Sequence, residues 1–191
     1  MTIPNMLLVG STARNAGKTS FCSAFIEKWK DKYDIVGLKV TTMPGDEKKC
    51  HHGDGGCGAC TSFSGSFEIV EETSNSGTKD TSMLLAAGAK KVYWIKTERN
   101  HAQTAVNSLL PTLTSDCIIV CESNVLSEFI TAGVSVLIHR AGAENLKPSA
   151  ESFKEKADFI CDVFIPDSID LILSKIFVSK QDEQTAISCK E

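Results

Sequence analysis

Short, unbroken runs of apolar residues alternate along the chain with stretches in which apolar positions recur every three or four residues. "MLLVG" (6–10), "DIVGLKV" (34–40), "KVYWIKT" (91–97), "CIIVCE" (117–122), "VSVLIHR" (134–140) and "DFICDVFI" (158–165) are rich in β-branched residues and show no polar alternation. Strands buried on both faces read this way. Between them, helices are expected from about Lys18 to Trp29, from Asp80 to Ala87, over 101–110 up to Pro111, after Pro148, and over "DSIDLILSKIF" (167–177). In the first helix Phe21, Phe25 and Trp29 are spaced four apart, with Cys22 and Ile26 beside them, which makes one apolar face. The β-α-β order predicts an α/β fold of three layers, a mainly parallel sheet wrapped by helices.

Two stretches break the alternation. Residues 43–79 are rich in Gly, Ser, Thr, Glu and Cys, and only "FEIV" (67–70) looks strand-like. An insertion of that length is usually functional or unordered. "SKQDEQTAISCKE" (179–191) reads as a frayed polar tail, leaving one domain over 1–178 that carries the insertion. The bulk numbers agree with one core: 191 residues, 42% hydrophobic, 23% charged and only five prolines. A net charge of -4 with the signs mixed offers no basic stripe for nucleic acid and no polybasic anchor for a membrane surface. No apolar run approaches the roughly 18 residues of a membrane span, and "MTIPNMLLVG" lacks the charged start and cleavage site of a signal peptide. A cytoplasmic protein is therefore expected. Thiols are kept reduced there, so the eight cysteines are expected to be core residues, metal ligands or redox groups rather than disulfides.

Directly after the first strand comes "GSTARNAGKTS", Gly10 to Ser20, in the strand-loop-helix setting of a phosphate-binding loop. Backbone N–H groups of Asn15 to Thr19 are expected to converge at the positive end of the helix, where an anion is favoured by the dipole and by unpaired donors. In such a loop Gly17 is expected to permit close approach, Lys18 to reach the β- and γ-phosphates, and the Thr19 hydroxyl to ligate Mg²⁺. Arg14, Asn15, Ala16, Gly17, Lys18, Thr19 and Ser20 form the candidate nucleotide-binding set. The glycine expected five residues before Gly17 is replaced by Thr12, with Gly10 two positions earlier.

"RNAGKTS" resembles the Lys-Asn-Ser-Gly-Lys-Thr-Thr loop of the molybdopterin-guanine dinucleotide biosynthesis protein B family, small P-loop proteins of the dethiobiotin synthetase and nitrogenase iron protein group. "GLKVTT" (37–42), "KDTSMLLAAGAKKV" (79–92) and "DCIIVCES" (116–123) are similar to that family's second strand, its Lys-Asp-Ser helix and its acidic strand, in the same order. The resemblance implies a P-loop NTPase fold that binds ATP or GTP with Mg²⁺. It also implies that Asp80 lies near the metal and γ-phosphate, and that Glu122 ends a Walker-B-like strand. Lys18, Asp80 and Glu122 are then the candidate catalytic residues, with Thr19, Asp80 and Glu122 around Mg²⁺. Hard oxygen donors are what that ion needs, and the carboxyl end of a central strand is where ligands bind in such sheets. Met83, Val40 and Ser123 stand where the family has an arginine, a histidine and a glycine, and no Asn-Lys-x-Asp guanine-reading motif is present.

"CHHGDGGCGAC" (50–60) holds three cysteines, two histidines and four glycines. Zn²⁺ bound by Cys50, Cys57, Cys60 and one of His51 or His52 is one reading. An iron–sulfur cluster, [4Fe-4S], on the three thiolates with a fourth ligand from elsewhere is the other, and is preferred. No serine lies in a nucleophile-elbow pattern, and His101 and His139 are isolated, so a hydrolase triad is not expected. Cys22, Cys117, Cys121 and Cys161 read as buried small hydrophobes. The expected function is a slow NTPase or nucleotide switch, a homodimer serving a client metalloenzyme or assembly protein in metal-cofactor, for example molybdenum-cofactor, assembly. The alternatives are a small-molecule synthetase of the dethiobiotin type and a non-catalytic metal- or redox-responsive adaptor.

Overall fold

The structure, a computed structural model, describes residues 1–43, 65–140, 148–181 and 184–189. In chain order the elements are β1 (Thr2–Ser11), α1 (Lys18–Trp29), β2 (Ile35–Thr42), β3 (Phe67–Glu71), α2 (Asp80–Ala87), β4 (Lys91–Thr97), α3 (Ala102–Leu109), β5 (Ile118–Glu122), β6 (Thr131–His139), α4 (Pro148–Lys154), β7 (Phe159–Asp162), α5 (Ser168–Lys175), β8 (Ile176–Gln181) and β9 (Gln184–Cys189). Seven strands make one sheet in the order β3-β4-β2-β5-β1-β6-β7. All neighbours in it run parallel except β3, which lies antiparallel to β4 at the edge.

The sheet is buried on both faces, which is why its strands read as continuous apolar runs. Along β1, Leu7 and Val9 enter one core with Phe21, Cys22, Phe25 and Ile26 of α1, Leu84 of α2 and Ile172 of α5. Met6 and Leu8 point the other way, into a second core with Ala105 and Val106 of α3 and Phe153 of α4. Helices thus cover both sides, and the three-layer α/β architecture expected from the pattern is present. Phe21 and Phe25 are fully buried, while Trp29 is only partly so and meets Tyr33 edge-on, ring centroids 5.8 Å apart. No helix among the described residues is long and apolar enough to cross a membrane.

Two expectations are corrected. The strand expected over 158–165 stops at Asp162. Asp162 then organises a turn, its carboxylate accepting from the Phe164 amide at 3.0 Å and its carbonyl from the Ile165 amide at 3.1 Å. The expected frayed tail is instead the antiparallel hairpin β8–β9. Its alternate residues Ile176, Thr185 and Ile187 are buried, so the segment carries an apolar face diluted by Ser, Lys and Gln. It packs across the amino ends of the central strands. Thr185 Oγ1 donates to the Asp116 carbonyl at 2.7 Å and Tyr33 Oη to the Val178 carbonyl at 3.2 Å. The approach is so close that a Cβ at Gly133 would lie 2.1 Å from the Pro4 carbonyl oxygen and 2.6 Å from that of Ile187.

Candidate functional site

At the opposite, carboxyl edge the chain leaves β1 and turns into α1. Two residues in this connection take left-handed backbone, Asn15 at φ 52° and Gly17 at φ 98°. Glycine adopts that region without penalty and asparagine more readily than most. Gly17 is the N-cap of α1, makes no side-chain capping bond, and is followed by a first turn without an acidic residue. Among the described residues no side chain caps the opening amides of α1, which stand at the positive end of the helix.

The loop is anchored on both sides. Ser11 donates its amide to Asn124 Oδ1 at 2.8 Å, and Asn124 Nδ2 donates back to the Ser11 carbonyl at 2.8 Å, which clasps the end of β1 to the turn after β5. On the other flank the Thr12 amide donates to the Ile138 carbonyl at 3.0 Å, and the Arg140 amide to Thr12 Oγ1 at 3.0 Å. Ala16 is buried in the α1 core and pins the loop from beneath, whereas Arg14, Asn15 and Ser20 are exposed. Lys18 folds back over the loop and donates to Ser11 Oγ at 2.8 Å. Among the described residues it makes no salt bridge. Residue 12, where the motif calls for glycine, holds the loop through its hydroxyl instead.

Register brings the carboxylates alongside. Glu122, the last residue of β5, stands beside Val9 of β1 and Lys39 of β2 in one row across the sheet. Asp80 opens α2, whose N-cap is Lys79, so its carboxylate is not a cap and turns to the loop. Asp80 Oδ1 accepts from Thr19 Oγ1 at 3.1 Å, and Oδ2 pairs with the Lys39 ammonium. Glu72 steadies this start of α2, accepting from Thr81 Oγ1 at 2.7 Å and from the Ser74 amide at 3.0 Å, bonds that hold its carboxyl below the usual range. Lys39 Nζ lies 4.0 Å from Glu122 Oε2. The Glu122 side chain is only 1% exposed, and neither of its oxygens has a hydrogen-bond partner among the described residues.

Burial pulls the Lys39 ammonium below its ordinary 10.5; Glu122 opposes the shift and Lys18 adds to it. Burial also drives the Cys22 thiol well above 9.0, with Glu122 and Cys121 pushing the same way. Cys22, Cys117, Cys121 and Cys161 are buried and Cys189 is exposed.

Structure thus places Lys18, Thr19, Asp80 and Glu122 around one corner of the sheet edge. Lys39, Ser11 and Asn124, none of them among the candidates above, belong to the same corner. The signal for Lys39 was available, since a lone lysine interrupts the apolar run "IVGLKV". Nothing local marks Ser11 or Asn124, which meet across 113 residues of chain. Cys50, His51, His52, Cys57 and Cys60 lie outside the described residues, and no group of three or more His, Cys, Asp or Glu suited to a metal occurs among the described ones. The Thr19 hydroxyl and the carboxylates of Asp80 and Glu122 are hard oxygen donors, the kind that Mg²⁺ takes. A cavity of about 500 Å³ beside the carboxyl ends of β2 and β4 is lined by Met43, Glu98, Arg99, Asn100 and Phe129, none of them in this corner.

Compared with known proteins, the chain matches no family model, no curated protein and no solved structure.

Proposed function

We propose that the β1–α1 loop binds the phosphates of a nucleoside triphosphate, ATP or GTP, together with Mg²⁺. The observation that carries this reading is the uncapped, left-handed entry into α1 with Lys18 folded over it and Thr19 hydrogen-bonded to Asp80. Loop amides and the Lys18 ammonium hold the β- and γ-phosphate oxygens, while Thr19 and Asp80 supply direct donors for the metal and Glu122 stands behind them as a supporting carboxylate. Mg²⁺, when bound, neutralises charge on the phosphate oxygens and orients them for attack. Slow hydrolysis or a nucleotide-dependent switch follows from such positioning, without covalent chemistry on the protein.

The role served is accessory, in the assembly or insertion of a metal cofactor. Support comes from the ligand-rich "CHHGDGGCGAC" segment and from the resemblance of four motifs in order. Calorimetry with ATP and with GTP, each with Mg²⁺, tests the site: Lys18→Ala is expected to abolish binding, and unchanged affinity in that variant overturns the assignment.

A further inference from the structure

Asp80 has both oxygens engaged, Oδ1 by the Thr19 hydroxyl and Oδ2 by the Lys39 ammonium. Glu122, next to Lys39 in register, has neither. A carboxylate this deeply buried is costly to leave without a hydrogen bond, and the cation able to satisfy it sits 4.0 Å away, held by another acid. The arrangement is lopsided: one lysine serves the outer carboxylate, whose side chain is 42% exposed, and leaves the inner one, at 1%, unpartnered.

We propose that Lys39 is an exchangeable counter-ion: it holds Asp80 while no divalent cation is present, and a cation settling on Thr19 and Asp80 displaces it onto Glu122. The inference rests on the reading that Thr19 and Asp80 take the metal. An ammonium and a divalent ion repel each other at a shared carboxylate. Closing the gap to Glu122 needs a shift of only about 1 Å to reach a charge-assisted hydrogen bond. The same movement then satisfies the buried acid and frees the oxygen that the metal needs. Lys39 is on this view a positioning residue that sets how readily the metal enters.

The test uses Mn²⁺ alone, without nucleotide, on the full chain, with bound ion counted by electron paramagnetic resonance. Lys39→Met is expected to bind Mn²⁺ roughly tenfold or more tightly than the unaltered protein, because the competing cation is gone. Since that variant leaves Glu122 uncompensated, the comparison is repeated between Glu122→Gln and Glu122→Gln/Lys39→Met, where the buried charge is absent. The gain is expected in both backgrounds and is expected to vanish when Asp80→Asn is added. Equal or weaker Mn²⁺ affinity without the lysine overturns the proposal, as does a gain that survives Asp80→Asn. Calorimetry of the unaltered protein with Mg²⁺ and nucleotide separates the two readings: binding there with no lysine effect on Mn²⁺ sinks only the counter-ion, and absence of nucleotide binding sinks the phosphate site.

Discussion

Cys22 and Cys121 show what the interior behind the loop does to an ionisable side chain. Burial and the nearby Glu122 charge raise both thiols above their ordinary 9.0. In the unfolded chain they ionise near that value, while in the folded protein they keep their protons. Their stabilising contribution is therefore whole below pH 9.0 and is lost as pH rises past it. The loss is up to about 1.4 kcal/mol per pH unit for each thiol. Urea unfolding across the alkaline range is expected to show this slope, and Cys22→Ala is expected to reduce it by one thiol's share. Gly10 is a steric counterpart. A Cβ there would lie 2.6 Å from the fully buried Phe153 ring and 3.1 Å from Asn124 Oδ1. Gly10→Ala is expected to cost about 1–3 kcal/mol and to loosen the Asn124 clasp, read as a lower melting temperature and weaker nucleotide binding. At this scale the sequence singles out Lys18 and Thr19 by a local motif, Glu122 by its place at a strand end and Asp80 through the resemblance, and the fold brings these four to one corner. Ser11 and Asn124 owe their place to the meeting of two segments distant in sequence, which apolar patterning does not encode residue by residue.

Helices α1 and α2 have the expected bounds, Lys18–Trp29 and Asp80–Ala87, and in α1 the apolar spacing explains them, because Phe21, Cys22, Phe25 and Ile26 bury one face on the sheet. The elements misread lie where only an edge is covered. β8 and β9 present every second residue to the amino ends of the sheet, and this weak alternation is hidden among Ser, Lys and Gln. Their importance is testable at Gly133, where the obstructing atoms are main-chain oxygens that cannot rotate aside. Gly133→Ala is expected to prise the hairpin from β1 and β6. Limited proteolysis should then cut within 176–189 before any other described segment. At the other end, Gly17→Ala puts a Cβ on left-handed backbone and is expected to cost about 1–2 kcal/mol, with the loss concentrated in the first turn of α1 in hydrogen exchange.

The whole molecule divides its labour between the two ends of its sheet: the carboxyl edge carries the charged corner, and the amino edge is closed by β8–β9. The α/β class and the layer order could be read from the alternation of buried runs and amphipathic stretches, because a sheet covered on both sides leaves that imprint along the chain. The cysteine-rich segment remains a matter of composition, and its chemistry has a direct readout. Protein purified without oxygen is expected to be brown, with a broad absorption band near ~400 nm and iron bound. Stoichiometric zinc in a colourless sample would instead favour the closed Cys₃His knuckle, and neither metal with all thiols titratable would remove the site. Light scattering with nucleotide present is expected to give a homodimer. The amino edge has one more consequence. The Met1 carbonyl accepts from the Thr131 amide at 2.8 Å, and the Ile187 carbonyl lies against Gly133 two residues along the same strand. The first and last described strands, β1 and β9, therefore meet there against β6, on the side away from Lys18. A fluorescent label carried on the exposed Cys189 of β9 therefore sits on the side away from the loop and reports on this end of the sheet alone.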